Sequence, residues 1–518
     1  MSRARQIDRR TYERRAAESQ PVESSATKRR RRGWIAVLAV ALVLRVAAVV
    51  ILVPADGRPS TYEHGAIAEN FLAGRGFSVN YLGTEGPTSQ QAPWVPMVLS
   101  FFYYVFGSGT REGIVAYQLL QCVVGAATVA VAIRWSWTLL PDRPGIGWAV
   151  GWVAALYPPH IYMVTHVQAA PWGALAVTLL FLLTTEAARS CTPGRLLMIG
   201  LTGGWLLMID PILALVIPPA LLQLLIALYK QQPRPTTDAP RTRKFVRAAK
   251  PVAAAAACML LVTVPWLVRN YRVHGEFVFV KSSFGYALWQ GNNELSHGTD
   301  KIPKPNVAAI VAAHDGSLRG RSQALWEARH ETLYIDDVLL KPTGYAEFAG
   351  LSEPARSRVL GDRAKAWIAS HPTDYIRLCF QRLSYFLLID RTNPKASSGV
   401  YQASSIVWLA LASMGLIAAR SRWRELWPLV AAFAGVALFH TLTITSARFR
   451  IPVEPLSFVW AIAGFEPALT NLGTRIARAW REAKQPEATS PSTSGRAKLK
   501  GPHTKQVKTA SRSFVRRR

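Results

Sequence analysis

Residues 34–53 read WIAVLAVALVLRVAAVVILV. A helix of this length spans about 30 Å, the hydrocarbon thickness of a bilayer. Apolar runs of similar kind recur at 113–139, 147–166, 168–187, 211–229, 248–267, 401–419, 425–445 and 452–470. Lipid offers no partner to a backbone amide, so runs like these must close their hydrogen bonds within helices. The sequence therefore reads as an all-α polytopic membrane protein of about 10–12 transmembrane helices. Interfacial helices are expected in the first outer loop, and an α-rich cap region in a later one.

Half of the residues are hydrophobic and the formal net charge is +30. Most of that charge sits in three segments beside apolar runs. Residues 1–33 carry 11 Lys/Arg and 4 Asp/Glu, residues 230–250 carry 7 and 1, and residues 471–518 carry 13 and 2. The positive-inside rule places all three in the cytoplasm. Nucleic-acid binding is the competing reading of basic tails. It is disfavoured because these tails lack interleaved aromatics and follow the topology. Residues 1–33 and 471–518 are read as basic cytoplasmic tails, disordered over 1–33 and 485–518. The first run is expected to remain in the protein, since a basic stretch precedes it and no small-residue cleavage site follows. The four cysteines, Cys122, Cys191, Cys258 and Cys379, are scattered and form neither a disulfide framework nor a zinc pattern.

With the N-terminus inside, residues 54–93 form a first outer loop within a membrane core of residues 34–267. Parity along the chain then leaves both ends of 94–107 outside. That segment is too short for an ordinary crossing, so it is read as inserted or re-entrant, and 374–390 likewise. Residues 268–400 form an outer region with 17 basic and 13 acidic residues. Helical patterns appear near 321–335 and 353–371, the second stopped by His371-Pro372. This region is expected to cap the membrane part. Residues 401–470 supply the last membrane helices.

The first outer loop holds the polar stretch TYEHGAIAENFLAGRGFSVNYLGTEGPTSQQAPWVP at 61–96. Ser60 and Glu63 have the spacing of a capping box, which would make Glu63 a structural cap. Ile67, Phe71 and Leu72 give the helix an apolar face, and Gly74 ends it. A carboxylate at a helix start beside water and headgroups also suits a general base, with His64 sharing the proton work or binding phosphate. Gly86-Pro87-Thr88 with Pro93 and Pro96 reads as a loop stiffened ahead of a helix. Tyr157-Pro158-Pro159 breaks a helix, and the His166 that follows suits an interfacial position. Asp210-Pro211 is explained by an N-cap with proline next to it. Arg269, Arg448 and Arg450 lie on the outer side, against the charge bias, and ask for an anionic partner.

In order, these motifs resemble the large membrane glycosyltransferases of the C-type fold, which use polyprenyl-phosphate sugars. The branch is that of protein mannosyltransferases and the lipid A aminoarabinose transferase. The residues carrying the resemblance are Glu63, Gly65, Ile67, Ala68, Gly74, Gly76 and Phe77, then Gly86-Pro87-Thr88, Pro93 and Pro96. Pro265-Trp266, Arg269-Asn270-Tyr271, Gly291-Asn292-Asn293-Glu294 and Arg448, Arg450, Pro452, Glu454 and Pro455 complete it. The resemblance implies inverting transfer from the lipid phosphate to an acceptor, with Glu63 as base and His64 beside it. It implies that Arg269, Asn270, Asn292, Asn293, Arg448 and Arg450 hold substrate or phosphate. Relatives often carry a second acid where this chain has Gln168. A neutral residue does not help hold a divalent metal, so the expectation is metal-independent catalysis without a cofactor.

The expected partners are a polyprenyl-phosphate sugar, a lipid, protein or polysaccharide acceptor, and the bilayer, but no nucleic acid. The expected location is the inner (cytoplasmic) membrane, with the site facing outward. A lipid-linked saccharide flippase would instead place charges deep in spans on both sides. A non-catalytic assembly factor would keep the fold, and the Gln168 departure fits it.

Overall fold

In the computed structural model, the residues described are 25–53, 59–233 and 241–484. Two compact units divide the chain, Met1–Glu466 and Pro467–Arg518. Within the second, residues 467–484 are helical. The tails expected to be disordered lie mostly outside the described residues. Residues 25–33, however, already belong to the first helix, and 471–484 to the last. Everything below concerns the first unit.

The protein is an all-α polytopic membrane fold. Among the described residues, six helical stretches are long and apolar enough to span a bilayer: Arg32–Leu52, Arg111–Leu139, Ala170–Arg189, Pro211–Gln231, Arg241–His274 and Gly399–Leu442. The last holds two helices, Gly399–Ala418 and Trp423–Leu442. Trp94–Phe106, Pro144–Leu156 and Pro193–Ile209 are apolar but shorter, and the expected 10–12 crossings counted such helices. Side chains such as Val43, Val50, Leu261 and Ile417 are exposed on the rim, where a water-soluble protein would have polar groups.

The run at 147–166 departs from a single span. Its helix Pro144–Leu156 stops at Tyr157, in extended backbone, and restarts as Pro158–Met163. The cause is chemical. The carbonyls of Ala154 and Ala155 would accept from residues 158 and 159, but both are proline and have no N–H. Arg45 supplies the missing donors. Its Nη2 reaches Ala154 O at 3.1 Å and its Nη1 reaches Ala155 O at 3.3 Å. Arg45 is only 1% exposed, and a Cβ at Gly125 would lie 2.4 Å from its Nε. A charge inside an apolar run is thus the cap of a neighbouring broken helix.

The segment 374–390 forms helix Pro372–Leu387, packed along Trp423–Leu442. Tyr375 Oη donates to Leu442 O at 3.0 Å. Further along, the Phe386 ring lies 5.9 Å from Phe433 and 5.8 Å from His440. The helix therefore runs from the end of its neighbour toward that neighbour's middle and stops there. Arg450 caps the stop, donating to Phe386 O at 2.9 Å and Leu387 O at 2.6 Å.

Residues 268–400 include helices Phe284–Gly291, Leu318–His330 and Glu353–Ser370, the last ending before His371-Pro372 as expected. The helix expected near 321–335 begins and ends a few residues earlier. This cap has its own core of Leu288, Trp289, Ile335, Phe348 and Leu360, joined by Tyr81 and Leu82. The last two come from a hairpin, Ser78–Tyr81 against Thr84–Pro87, that the sequence reading treated only as a turn. Its two turn residues, Leu82 and Gly83, both have positive φ, the requirement of a tight two-residue turn. The cap reaches the bundle through Ser322 Oγ and Trp326 Nε1, which both donate to Leu52 O at the end of the first helix.

Candidate functional site

Helix Tyr62–Leu72 turns its His64, Gly65, Ile67 and Ala68 inward. Phe71, expected on the apolar face, is exposed. Gly65 is required because a Cβ there would sit 1.9 Å from Thr61 Oγ1. Past the last turn, Gly74 N donates to Phe71 O and Arg75 N to Asn70 O, with Gly74 at positive φ, an αL helix stop. The capping box does not form. Thr61 is the N-cap and makes no side-chain cap bond, which leaves Glu63 in the first turn, one position short of a box partner. Among the described residues, the exposed Glu63 carboxylate has no hydrogen bond or ion pair. Tyr62, beside it, holds φ at +53°, a strained conformation for a non-glycine residue.

The residues of this helix start have different neighbours: Arg329 at Tyr62, Tyr286 near Glu63, and Lys281 with Arg448 near His64. The Arg329 guanidinium lies 5.7 Å from the Tyr62 ring centroid. Burial, then Asp336, Tyr81 and the Glu63 carboxylate, push the Tyr286 phenol well up. Burial, with Lys281 and Arg448 nearby, pushes the His64 imidazole down to about 3. With that shift, His64 carries no charge at ordinary pH in this arrangement. Its Nδ1 is buried without a partner.

Arg448 is the hub. Half-buried, it touches the Phe449 ring and has no hydrogen bond or ion pair among the described residues. Its charge also acts on Asp300 and Lys395. Lys395 lies 4.4 Å over the Tyr162 ring. Burial, with Arg329, Arg448 and Lys301 around it, holds its amine well below the usual range against the opposing pull of Asp390. Burial opposes ionisation of Asp300, but Lys301 and Arg448 hold its carboxyl below the usual range, and it pairs with Lys301. Arg329 Nη2 donates to His166 Nε2 at 2.9 Å. Guanidinium only donates, so that nitrogen accepts; His166 is then neutral, with Nδ1–H directed to Thr165 Oγ1 at 2.9 Å. Arg329 also covers Trp326, whose ring stacks on His166 at 5.2 Å. Gln168 is buried two residues on, and its amide has no hydrogen bond among the described residues.

Five expected substrate residues are not available to a ligand, because their polar groups hold the scaffold. Arg269 donates to Thr88 O at 2.6 Å and Phe77 O at 2.8 Å, closing both ends of the hairpin segment onto helix Arg241–His274. Asn270 donates to Phe279 O at 2.9 Å and accepts from Ser89 Oγ at 2.8 Å. Asn292 donates to Leu288 O and Thr443 O and accepts from Arg382 Nη1. Asn293 donates to Trp289 O and accepts from Leu295 N. Arg450 pairs with Glu454 at 2.6 Å, and Glu454 also takes Tyr157 Oη at 3.1 Å and His160 Nε2 at 2.9 Å. The Gly86-Pro87-Thr88 strip is likewise architectural: Thr88 Oγ1 and Ser89 N both donate to Glu353 at 2.6 and 2.7 Å.

The structure thus sets His64 and Arg448 near Arg329, Lys395 and Lys281, which the sequence reading missed, with Glu63 next to His64 in the chain and Gln168 two residues beyond His166. Nothing local in residues 281–395 marks those three; only the fold of the cap over helix Tyr62–Leu72 unites them. Among the described residues no cluster of three His, Cys, Asp or Glu side chains forms a metal-ligand set. All four cysteines are free thiols.

No protein-family model matches the chain, and no curated protein matches it. Solved structures do. The chain is similar to the oligosaccharyltransferase AglB of Archaeoglobus fulgidus in complex with an inhibitory peptide and a dolichol-phosphate. Identity there is 14% and TM-score 0.48, over 88% of this chain and 52% of that one. For the same enzyme tethered to an acceptor peptide the values are 13% and 0.49, over 87% and 51%. ArnT from Cupriavidus metallidurans bound to undecaprenyl phosphate is 16% identical with a TM-score of 0.36, over 88% and 81%. The chain spans about half the length of the AglB structures it matches.

Proposed function

We propose that this protein is a glycosyltransferase that moves a sugar from a polyprenyl-phosphate donor to an acceptor at the outer face of the cytoplasmic membrane. The observation that carries this reading is an exposed carboxylate, Glu63, free of hydrogen bonds and ion pairs among the described residues, on the helix start that meets Arg329 at Tyr62 and Arg448 at His64. Lys395 lies near both arginines. Asp300 and Asp390 offset these cations only in part, and a phosphate held there would sit where charge develops as the lipid phosphate leaves.

In the proposed step Glu63 takes the proton of an acceptor hydroxyl or amine. The acceptor atom bonds to the anomeric carbon as the bond from that carbon to the phosphate oxygen breaks. The bonding electrons go to the phosphate, which Arg448, Lys395 and Arg329 neutralise. Attack opposite the leaving group inverts the anomeric centre. With protein cations in this place and the neutral Gln168 beside them, we propose that the reaction needs no metal. His64 and His166, both neutral, line the pocket without adding charge.

The test is transfer from a synthetic polyprenyl-phosphate sugar by the purified full chain. A new glycosidic bond is expected. Movement of the lipid-linked sugar across the bilayer without a new bond would instead favour a flippase. A folded Glu63→Gln protein working at the wild-type rate would remove Glu63 as base.

A further inference from the structure

A second cationic site lies on helix Pro372–Leu387, away from the pocket just described. Arg377, Gln381, Tyr385, Leu388 and Arg391 line a groove of about 420 Å3. That volume is toward the lower part of the roughly 300–1,000 Å3 that small-ligand sites occupy. The first four residues fall at i, i+4, i+8 and i+11, one face of the helix. A second face, with Leu378, Arg382 and Phe386, is buried against the protein. A third presents Ile376 at 56% exposure and Phe380 at 71%. The helix therefore has a protein side, an apolar outer side and a polar groove between them.

We propose that this groove binds the phosphate headgroup of an anionic glycerophospholipid, with its acyl chains against Ile376 and Phe380. Three observations point to that occupant. Among the described residues, neither Arg377 nor Arg391 has a hydrogen bond or ion pair, so two guanidinium groups face the groove without counter-charge. Each is a planar fork that matches phosphate oxygens. The Tyr385 hydroxyl accepts from Gln381 Nε2 at 2.7 Å and has its own proton to give. The start of the helix, at Tyr375, lies against the end of the membrane helix Trp423–Leu442, which puts Arg377 within reach of headgroups, with the exposed Ile376 and Phe380 beside it.

The groove is also connected to the pocket. Between the lining residues Ile389 and Arg391 lies Asp390, whose Oδ1 accepts from Thr392 N and Oγ1. A lipid held by Arg391 fixes the loop whose carboxylate faces Lys395 and Lys301. This proposal does not depend on the chemistry assigned to Glu63.

The full chain, placed in phosphatidylcholine nanodiscs with a titrated fraction of phosphatidylglycerol, tests it. Native mass spectrometry counts retained lipid, and a fluorescent phosphatidylglycerol gives the affinity. The wild type is expected to retain phosphatidylglycerol in preference to phosphatidylcholine, and Arg377→Gln with Arg391→Gln to bind it about tenfold more weakly or worse. Glu63→Gln and a control pair on the cap, Arg358→Gln with Arg363→Gln, should retain it as the wild type does. Equal retention by the groove variant, or no preference for the anionic lipid, overturns the proposal. Displacement by inorganic phosphate at the same affinity overturns the lipid assignment. Phe380→Ser keeps both charges and removes the apolar contact. It should weaken binding about threefold, which keeps the test decisive if the arginine variant folds poorly.

Discussion

Arg448 and Arg450 lie two residues apart in one 3-10 turn, Ala447–Val453, and meet opposite surroundings. Arg450 is buried with every guanidinium nitrogen engaged, to Glu454, to the end of helix Pro372–Leu387 and to Ser405 Oγ. Arg448 is half-buried with no acceptor among the described residues. The same contrast runs through the molecule. Arg45 caps the helix that Pro158 and Pro159 interrupt, and Arg382 caps Trp423–Leu442 through Thr443 O while holding Gly291 O and Asn292 Oδ1. Arg329, Lys395 and Arg448 gather instead where like charges repel. In a medium without water, a satisfied arginine marks a place where the backbone ladder fails. Cations that outnumber the carboxylates beside them, here Asp300 and Asp390, are an unfavourable arrangement, and proteins tolerate such arrangements at binding sites.

That contrast breaks most sharply if the two neighbours are exchanged in effect. Arg448→Gln is expected to lower sugar transfer by about 10²–10³ and Glu63→Gln by about 10²–10⁴, with the thermal unfolding midpoint close to wild type. Arg450→Met is expected to do the reverse. It leaves Glu454 buried with only Tyr157 and His160 as partners and uncaps Phe386 and Leu387, a loss of about 3–5 kcal/mol that shows as poor yield of folded protein. Adding Glu454→Gln should recover part of that loss but not the capping. If Arg448→Gln unfolds the protein as Arg450→Met does, the division between scaffold and pocket fails.

Arg45 sharpens the same division because its role can be returned to the backbone. Arg45→Met orphans two buried carbonyls, at about 1–3 kcal/mol each. Restoring the amides with Pro158→Ala and Pro159→Ala should make Arg45→Met cost less in that background than alone. Denaturation in a double-mutant cycle measures the coupling. Additive effects would show that Arg45 does not stand in for the prolines' missing donors.

The helical membrane class was legible because apolar length is a local property. So were the proline break, the stop at His371 and the Asp210 cap, where Asp210 Oδ1 accepts from Ile212 N. Arg45 was passed over because its partners are more than a hundred residues away. The site was half legible. His64 lies near Arg448, and Glu63 is left without a partner among the described residues, yet equally plausible polar residues such as Arg269, Asn270, Asn292 and Asn293 hold loops together. A sequence motif does not distinguish an arginine that binds a ligand from one that binds carbonyls, since both need the same fork of donors. Arg329 and Lys395 were invisible because each is an ordinary cation in its local sequence.

The smallest effect concerns His64, which touches both sides of the comparison. Buried and neutral, its imidazole titrates near 3 in the folded protein against an ordinary 6.5 when unfolded. Between those values the unfolded chain binds the extra proton, so this residue destabilises the fold as pH falls. Its contribution is complete above about pH 6.5 and is progressively lost toward pH 3. His64→Gln should therefore flatten the fall in unfolding free energy between neutral pH and about 4.5, measured as the difference between the two proteins. The transfer rate of His64→Gln should keep the acid limb of the wild type's pH profile. A shift of that limb would mean that His64 exchanges protons with the reaction, and would move it from the lining of the pocket into its chemistry.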